Sequence, residues 1–297
     1  MEVPELKALI SLLDDPDWTV YEAVKNRLTN LGTEILPELK SSWESNANEL
    51  FLERSSLIIS EIQFNDTFTQ FESWVDNGAS NLLEGAFLIA KYNFPDIEFD
   101  IIQQKIEKIK RDAWLQMNDN LTPLEQIRVL NHIIYNIHKF TRNNTDFYSP
   151  KNSYINQVLE TKKGNPVSLA ILYLTVGNKL GLPIYGVNLS KNFIIAYVEE
   201  LFGIPEKTAP EDKIVSFYIN PYNNGAVLTK REIDYFLKQQ RIPAMDYYYV
   251  PCNNSIIIQQ LIVNLIYSYK KQEDETKIED LRKFLNCFEN PLPDSLI

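Results

Sequence analysis

Cysteine and histidine, the side chains most often used as nucleophile, general base and transition-metal ligand, are scarce in this 297-residue chain. There are two cysteines, Cys252 and Cys287, and two histidines, His132 and His138. Two cysteines are too few for a disulfide framework and suit a reduced, cytoplasmic compartment. The histidines share one helical pattern but are six residues apart, about 600° of rotation at ~100° per residue. They face different ways, whereas metal ligands on one helix sit three or four apart. Ordinary surface or cap positions are expected, and His138 near a helix C-terminus suits the helix dipole. No phosphate loop, zinc-ligand cluster or basic aromatic surface is present, so no cofactor or metal is expected. What remains is Ser168, preceded by Lys162 and Lys163, and the asparagines Asn188, Asn192 and Asn220. A serine with a lysine base is one known form of activated nucleophile. The alternative is a buried serine that bonds back to the preceding turn. Asparagine both donates and accepts, so the three amides could hold a peptide or bond one another structurally.

The elements that must position these residues are legible. Asn165 is a good N-cap and Pro166 suits the first helical position. Residues 167–180 are apolar nearly all round, which predicts a buried helix. Gly181 ends it and Pro183 forbids its return. Strand signals follow at 184–187, 193–198 and 214–219. An acidic loop, 199–212, separates the second from the third, and a turn, Asn220-Pro221-Tyr222-Asn223-Asn224-Gly225, closes the third. Thr229-Lys230-Arg231-Glu232 reads as a capping box opening a helix through Leu237.

Upstream, residues 67–118 read as helices. Thr122-Pro123-Leu124-Glu125 caps another that runs to about Phe140. Asn152 or Ser153 is expected to cap a short helix through Leu159. Downstream, amphipathic helices are predicted at 254–269 and 277–288, with Pro291 and Pro293 in the tail. Helices, a central helix, antiparallel strands, then helices again make an α+β protein.

Residues 5–32 form a helical hairpin with an Asp14-Asp15-Pro16-Asp17 turn, Asp17 as N-cap and Gly32 as stop. It resembles a HEAT-type repeat. A degenerate second pair follows from Ile35 to about Ile62. Repeats bury their faces by stacking, so two pairs are expected to dock on the rest of the chain; plain helical packing is the alternative. The domains read as 1–75, a HEAT-like helical region; 76–250, the core; and 251–297, a C-terminal helical pair.

The bulk numbers exclude several classes. Acidic residues outnumber basic ones, 40 to 29, for a formal charge of −11. Nucleic acid and anionic membranes both reward basic clusters, so neither is an expected partner. The first residues lack a basic region followed by an apolar one, so no signal peptide is expected. The most apolar run, 256–266, is interrupted by Gln259, Gln260 and Asn264, so it does not read as a membrane span. Tyr247-Tyr248-Tyr249, with Tyr267 and Tyr269, are aromatic clusters that serve either as core or as an exposed docking patch.

Two stretches carry a resemblance. One is Asn152-Ser153-Tyr154-Ile155-Asn156-Gln157-Val158-Leu159. The other runs from Gly164-Asn165-Pro166-Val167-Ser168-Leu169 to Gly181-Leu182-Pro183-Ile184-Tyr185-Gly186-Val187-Asn188-Leu189. In these the chain resembles the transglutaminase-like superfamily, and most of all its bacterial SirB-type branch, over about residues 80–240. The resemblance implies a papain/transglutaminase-like core, in which a central helix packs on a small antiparallel sheet, with helical extensions. It also implies a Cys–His–Asp triad in active members, where a helix N-terminus and a histidine stabilise the thiolate. The cysteine lies about fifteen residues before the turn at Gly181, which falls on Pro166. The histidine of a Pro-Gly-His-Phe-like motif corresponds to Asn192, in Ser190-Lys191-Asn192-Phe193. The acid of an Asp-Pro-like pair corresponds to Asn220, before Pro221. None of the three has the usual chemistry, and Cys252 and Cys287 come too late in the chain to replace the nucleophile. The expectation is therefore a pseudoenzyme that binds a protein or peptide, with Ser168, Asn188, Asn192 and Asn220 in its cleft. The alternatives are a cryptic hydrolase or acyltransferase using a non-standard nucleophile such as Ser168, and an interaction module carried by the N-terminal helices.

Overall fold

The computed structural model describes residues 3–189, 192–198 and 213–292. Ser190, Lys191, the acidic loop 199–212 and Pro293 lie outside the described residues. Contacts divide the chain into two compact units, Met1–Phe71 and Glu72–Ile297.

The first unit is helical. Helix α1 (Val3–Ile10) is followed by α2 (Trp18–Leu31), α3 (Leu36–Ser45) and α4 (Glu49–Asp76). Asp17 caps α2 by accepting from the Thr19 N–H, and Gly32 ends it at φ 68°, a left-handed conformation that favours glycine. The expected break near Ile62 is absent, and α4 runs unbroken for 28 residues. No Gly or Pro lies in that span, and these are the residues that interrupt a helix. Leu13, Leu28, Leu39 and Ile58 are fully buried in this unit's core. Arg54 is buried beside them. Its Nη1 donates to the carbonyls of Leu13 and Asp15, both at 2.8 Å, and its guanidinium stacks 4.1 Å from the Tyr21 ring centroid. Three elements are tied by that one side chain.

The second unit begins with α5 (Leu82–Asn93), α6 (Phe99–Trp114) and α7 (Pro123–Asn131). Thr122 and Glu125 form the capping box of α7. The helix does not stay α-helical to its end. Residues His132–Ile137 widen into a π-helical turn. A short parallel pair, β1 (Thr141–Arg142) with β2 (Lys163–Gly164), brackets α8 (Ile155–Thr161). Then comes α9 (Pro166–Lys179), in which every residue from Val167 to Gly177 is buried.

Four antiparallel strands follow in the order β3 (Ile184–Val187), β4 (Ile194–Val198), β5 (Val215–Asn220) and β6 (Ala226–Leu228). β6 has no counterpart among the expected strands. At three residues it is too short to show a period. Side chains alternate between the two faces. Val187, Ile194, Ala196 and Tyr218 pack on one face against Ile233 and Leu237 of α10 (Lys230–Gln239). Ile184 and Gly186 turn to the other, toward α9 and α11 (Asn254–Lys270). A Cβ on Gly177 of α9 would overlap Ile184 Cδ1, so this helical glycine sets the helix–strand spacing. Helix α12 (Glu275–Leu285) packs on α11. The result is the α+β architecture expected, a buried helix on a small antiparallel sheet with helical extensions. No helix among the described residues is long and apolar enough to cross a membrane.

Candidate functional site

The head of α9 is held by a closed set of polar bonds. Asn165 Oδ1 accepts from the Ser168 N–H at 2.8 Å, and Ser168 Oγ accepts from the Asn165 N–H at 3.0 Å. Ser168 Oγ also donates to the Asn152 carbonyl at 2.5 Å. Asn165 Nδ2 donates to Ser153 Oγ at 2.8 Å. Ser168 is 1% exposed, so the serine is committed to the cap. Lys162 is occupied elsewhere. Its Nζ donates to the Leu159 carbonyl at 2.7 Å and lies 4.6 Å from the Phe140 ring. Ser168 accordingly does not stand in a cleft, and no serine–lysine dyad forms.

Asn152 and Ser153 do not cap α8, contrary to expectation. The N-cap of α8 is Tyr154, which makes no side-chain cap bond. Asn152 instead ties down the loop before it. Its Nδ2 donates to the carbonyls of Asp146 and Phe147, at 2.7 and 3.1 Å, and its Oδ1 accepts from Asn143 Nδ2 at 2.9 Å. That loop carries Phe147 and Tyr148, which remain 49% and 47% exposed although both are large and aromatic.

These rings stand at a cavity of about 450 Å³. One wall is the head of α9, at Pro166 and Val167. A second is the segment after β3, at Leu189 and Asn192. The third is one face of α11, where Gln260, Asn264 and Tyr267 follow at helical spacing. Asn192 accepts from the Phe193 N–H through Oδ1 at 3.0 Å, which leaves its Nδ2 without a partner among the described residues. Gln260 Nε2 meets Asn264 Oδ1 at 3.5 Å, so an amide oxygen on Gln260 and an amide NH₂ on Asn264 also remain available. Among the described residues no carboxylate, imidazole, thiol or amine lines the cavity, and the Ser268 hydroxyl that does line it donates to the Asn264 carbonyl at 3.0 Å.

Pro166 and Asn192 are thus brought together, and the other expected positions are not. Asn220 ends β5, where its Oδ1 accepts from the N–H groups of Tyr222 and Asn223 at 3.1 and 3.2 Å. It caps a turn. The register, in which Ile195 faces Ile219, puts Asn192 and Asn220 at the same end of the sheet, but Asn220 does not line the cavity. Nor does Asn188, beside whose backbone the Cys252 thiol lies. Burial pushes that thiol up to about 12, and burial raises Cys287 to about 11. Neither cysteine lines the cavity. His138 Nε2 contacts Asp112 Oδ2 at 2.9 Å, and His132 is exposed. Among the described residues no cluster of His, Cys, Asp and Glu could hold a metal ion.

The turn beyond Asn220 is clamped from the end of α7 and the π-helical turn that follows it. Tyr135 donates to the Pro221 carbonyl at 2.8 Å. Asn131 Nδ2 donates to the Gly225 carbonyl at 2.8 Å, and its Oδ1 accepts from Tyr173 of α9 at 2.9 Å. Burial holds the hydroxyls of Tyr135 and Tyr173 well above the usual phenol range, as suits neutral donors.

Most lining residues lie outside the stretches that point to a site in the sequence. The amides of α11 were visible only as polar interruptions of an apolar run, and Tyr267 only as part of an aromatic cluster. Phe147 and Tyr148 carried no signal beyond lying in a turn-rich stretch.

F-box only protein 21 of Mus musculus is 28% identical over 236 residues, covering 72% of this chain and 36% of that protein. The Homo sapiens protein of that name is 29% identical over 167 residues, 56% of this chain and 25% of its own length. A UPF0162 protein of Xylella fastidiosa is 28% identical over 163 residues, 54% of this chain and 52% of that protein. The chain therefore spans about a third or less of the F-box relatives and about half of the bacterial one. No solved structure matches. The sequence model of the transglutaminase-like superfamily matches residues 100–263, more than half of the chain. That stretch takes in α9, the whole sheet and the first half of α11, and on this evidence the chain belongs to the transglutaminase-like superfamily.

Proposed function

We propose that this chain is a non-catalytic member of the superfamily, of the SirB-type branch, that holds a neutral stretch of polypeptide in the cavity at the head of α9. Its N-terminal unit is read as a HEAT-like helical extension, with the core and the C-terminal pair completing three domains at 1–75, 76–250 and 251–297. One observation carries the reading. Pro166 and Asn192, the residues taken to stand where active members have cysteine and histidine, line one cavity in which the described residues supply neither a thiol nucleophile nor an imidazole or carboxylate base. Covalent acyl transfer needs both. Pro166 has neither a nucleophile nor an N–H. What the cavity does offer is amide donors on Asn192 and Asn264 and an amide acceptor on Gln260. These complement the N–H and C=O of an extended peptide, and aromatic rings beside them supply apolar contact.

Two measurements test this. The full chain is incubated with a fluorescent primary amine and a glutaminyl peptide, and separately with fluorogenic peptide amides. No turnover above buffer is expected. Turnover of either kind overturns the non-catalytic reading, and its loss in Ser168→Ala would assign it to that serine. The full chain is also used to select from a random decapeptide display library. Enriched peptides are expected, and Asn264→Trp, which fills the cavity, is expected to abolish their binding.

A further inference from the structure

Three rings lining the cavity, Phe147, Tyr148 and Tyr267, continue beyond it to Tyr222 as one ladder. Tyr222 meets Phe147 edge-on at 6.4 Å between centroids, Phe147 meets Tyr148 edge-on at 5.0 Å, and Tyr148 meets Tyr267 at 5.5 Å. Each end carries a cation. Arg142 lies over the Tyr222 ring at 6.0 Å. Lys271 lies over Tyr267 at 5.3 Å and over Tyr148 at 5.8 Å. Both cations are exposed. Neither pairs with a carboxylate among the described residues, although Asp146 and Glu273 lie close by in sequence. The chain as a whole carries −11. Two unpaired cations flanking a cavity with no charged group in its described lining therefore run against the charge of the rest of the molecule.

Resting on the reading of the cavity as a peptide site, we propose that the ladder selects a peptide with an apolar or amide anchor flanked on both sides by carboxylates. The anchor enters between Pro166 and α11, where a charge would find no counter-ion and would be left unpaired on desolvation. The backbone of the extended segment crosses the rings, which give flat, rigid contact area at little entropic cost. The flanking carboxylates meet Arg142 at one end and Lys271 at the other. Stacking on the rings holds both cations in place, so complementary charge fixes the register of the peptide more than it raises affinity. A membrane surface could also meet exposed rings and cations, but an overall charge of −11 opposes approach to anionic lipid, so the peptide is the occupant favoured here.

The test compares peptides selected from the decapeptide library by the full chain with those selected by Arg142→Gln/Lys271→Gln. Sequencing of the wild-type pool is expected to show Asp or Glu on both sides of an uncharged anchor. The double variant is expected to lose the acidic flanks and keep the anchor. For one acidic decapeptide from the wild-type pool, fluorescence polarisation should show affinity falling about tenfold in the double variant and by a similar factor in high salt. A pool without acidic flanks, in which peptides still fail to bind Asn264→Trp, overturns this inference and leaves the peptide site standing. A pool with no enrichment, or with enrichment unchanged in Asn264→Trp, overturns the peptide site itself. Sedimentation with phosphatidylserine vesicles that is lost in the double variant, without any peptide enrichment, replaces the peptide with a membrane surface.

Discussion

Replacing Gly225 with alanine tests the packing that holds the turn between β5 and β6. Gly225 has φ 72°, and an added Cβ would overlap the side-chain amide of Asn131. The left-handed backbone alone costs an alanine about 1–2 kcal/mol. Asn131 must also move, and it bridges the Gly225 carbonyl to the Tyr173 hydroxyl. Tyr173 is fully buried, so a hydroxyl left without its acceptor adds about 1–3 kcal/mol. Gly181 is the internal control. It has φ 78° in the same unit, and nothing lies within 4 Å of its added Cβ. Gly181→Ala should incur the backbone cost alone, and the entropy that alanine removes from the unfolded chain is common to both variants. Urea unfolding followed by far-UV circular dichroism should place Gly225→Ala about 1–3 kcal/mol below Gly181→Ala at equal m. In a background of Asn131→Ala the excess should shrink, because the overlapping group is gone. Equal costs for the two glycine variants would refute the role given to Asn131.

Three further outcomes are expected. Ser168→Ala removes a buried hydroxyl that donates to Asn152 and accepts from Asn165, so stability should fall by about 1–3 kcal/mol in urea unfolding; a neutral substitution would contradict its role in the cap. Arg54→Met strips the carbonyls of Leu13 and Asp15 of their donor and unstacks Tyr21. Protease sensitivity within residues 1–71 should rise, for a loss of about 2–4 kcal/mol. In alkali, burial holds the hydroxyls of Tyr92, Tyr135, Tyr154 and Tyr173 above their ordinary value and raises Tyr249 to about 12. A raised folded value means stability that is fully present below about pH 10 and lost as pH climbs above it, since the unfolded chain gives up these protons first. Tyrosinate absorbance should show the exposed rings titrating first and the buried ones only as the circular dichroism collapses. A single early titration with the fold intact would count against their burial.

The elements that announce themselves locally were legible. Asn165-Pro166 at one end and Gly181 with Pro183 at the other bracket α9, and Thr122 and Thr229 mark the starts of α7 and α10 through capping boxes that form as read. Failures arose where tertiary demand outweighed local preference. Asn152 and Ser153 are both good cap residues, but the structure uses them at longer range to hold α9 and the loop before α8. The π-helical turn at 132–137 has no local signature in the residues that form it. The cavity shows the same limit. Its α9 wall could be read from the central motif, whereas its opposite wall comes from α11, almost a hundred residues further on, where amides within an apolar helix looked like mere interruptions. Asn220 was legible as the end of a strand, yet only the fold shows that its side chain is taken up by the turn that follows.

The bonds from Asn152 to the carbonyls of Asp146 and Phe147 have a kinetic consequence. They fix the backbone that carries Phe147 and Tyr148, so a peptide of the kind proposed above would meet rings already in position and need not first order a loop. Association then depends on encounter and orientation, and differences between ligands would appear chiefly in how long each stays. Loosening this loop, as Asn152→Ala should, would slow arrival without removing any group that touches the ligand.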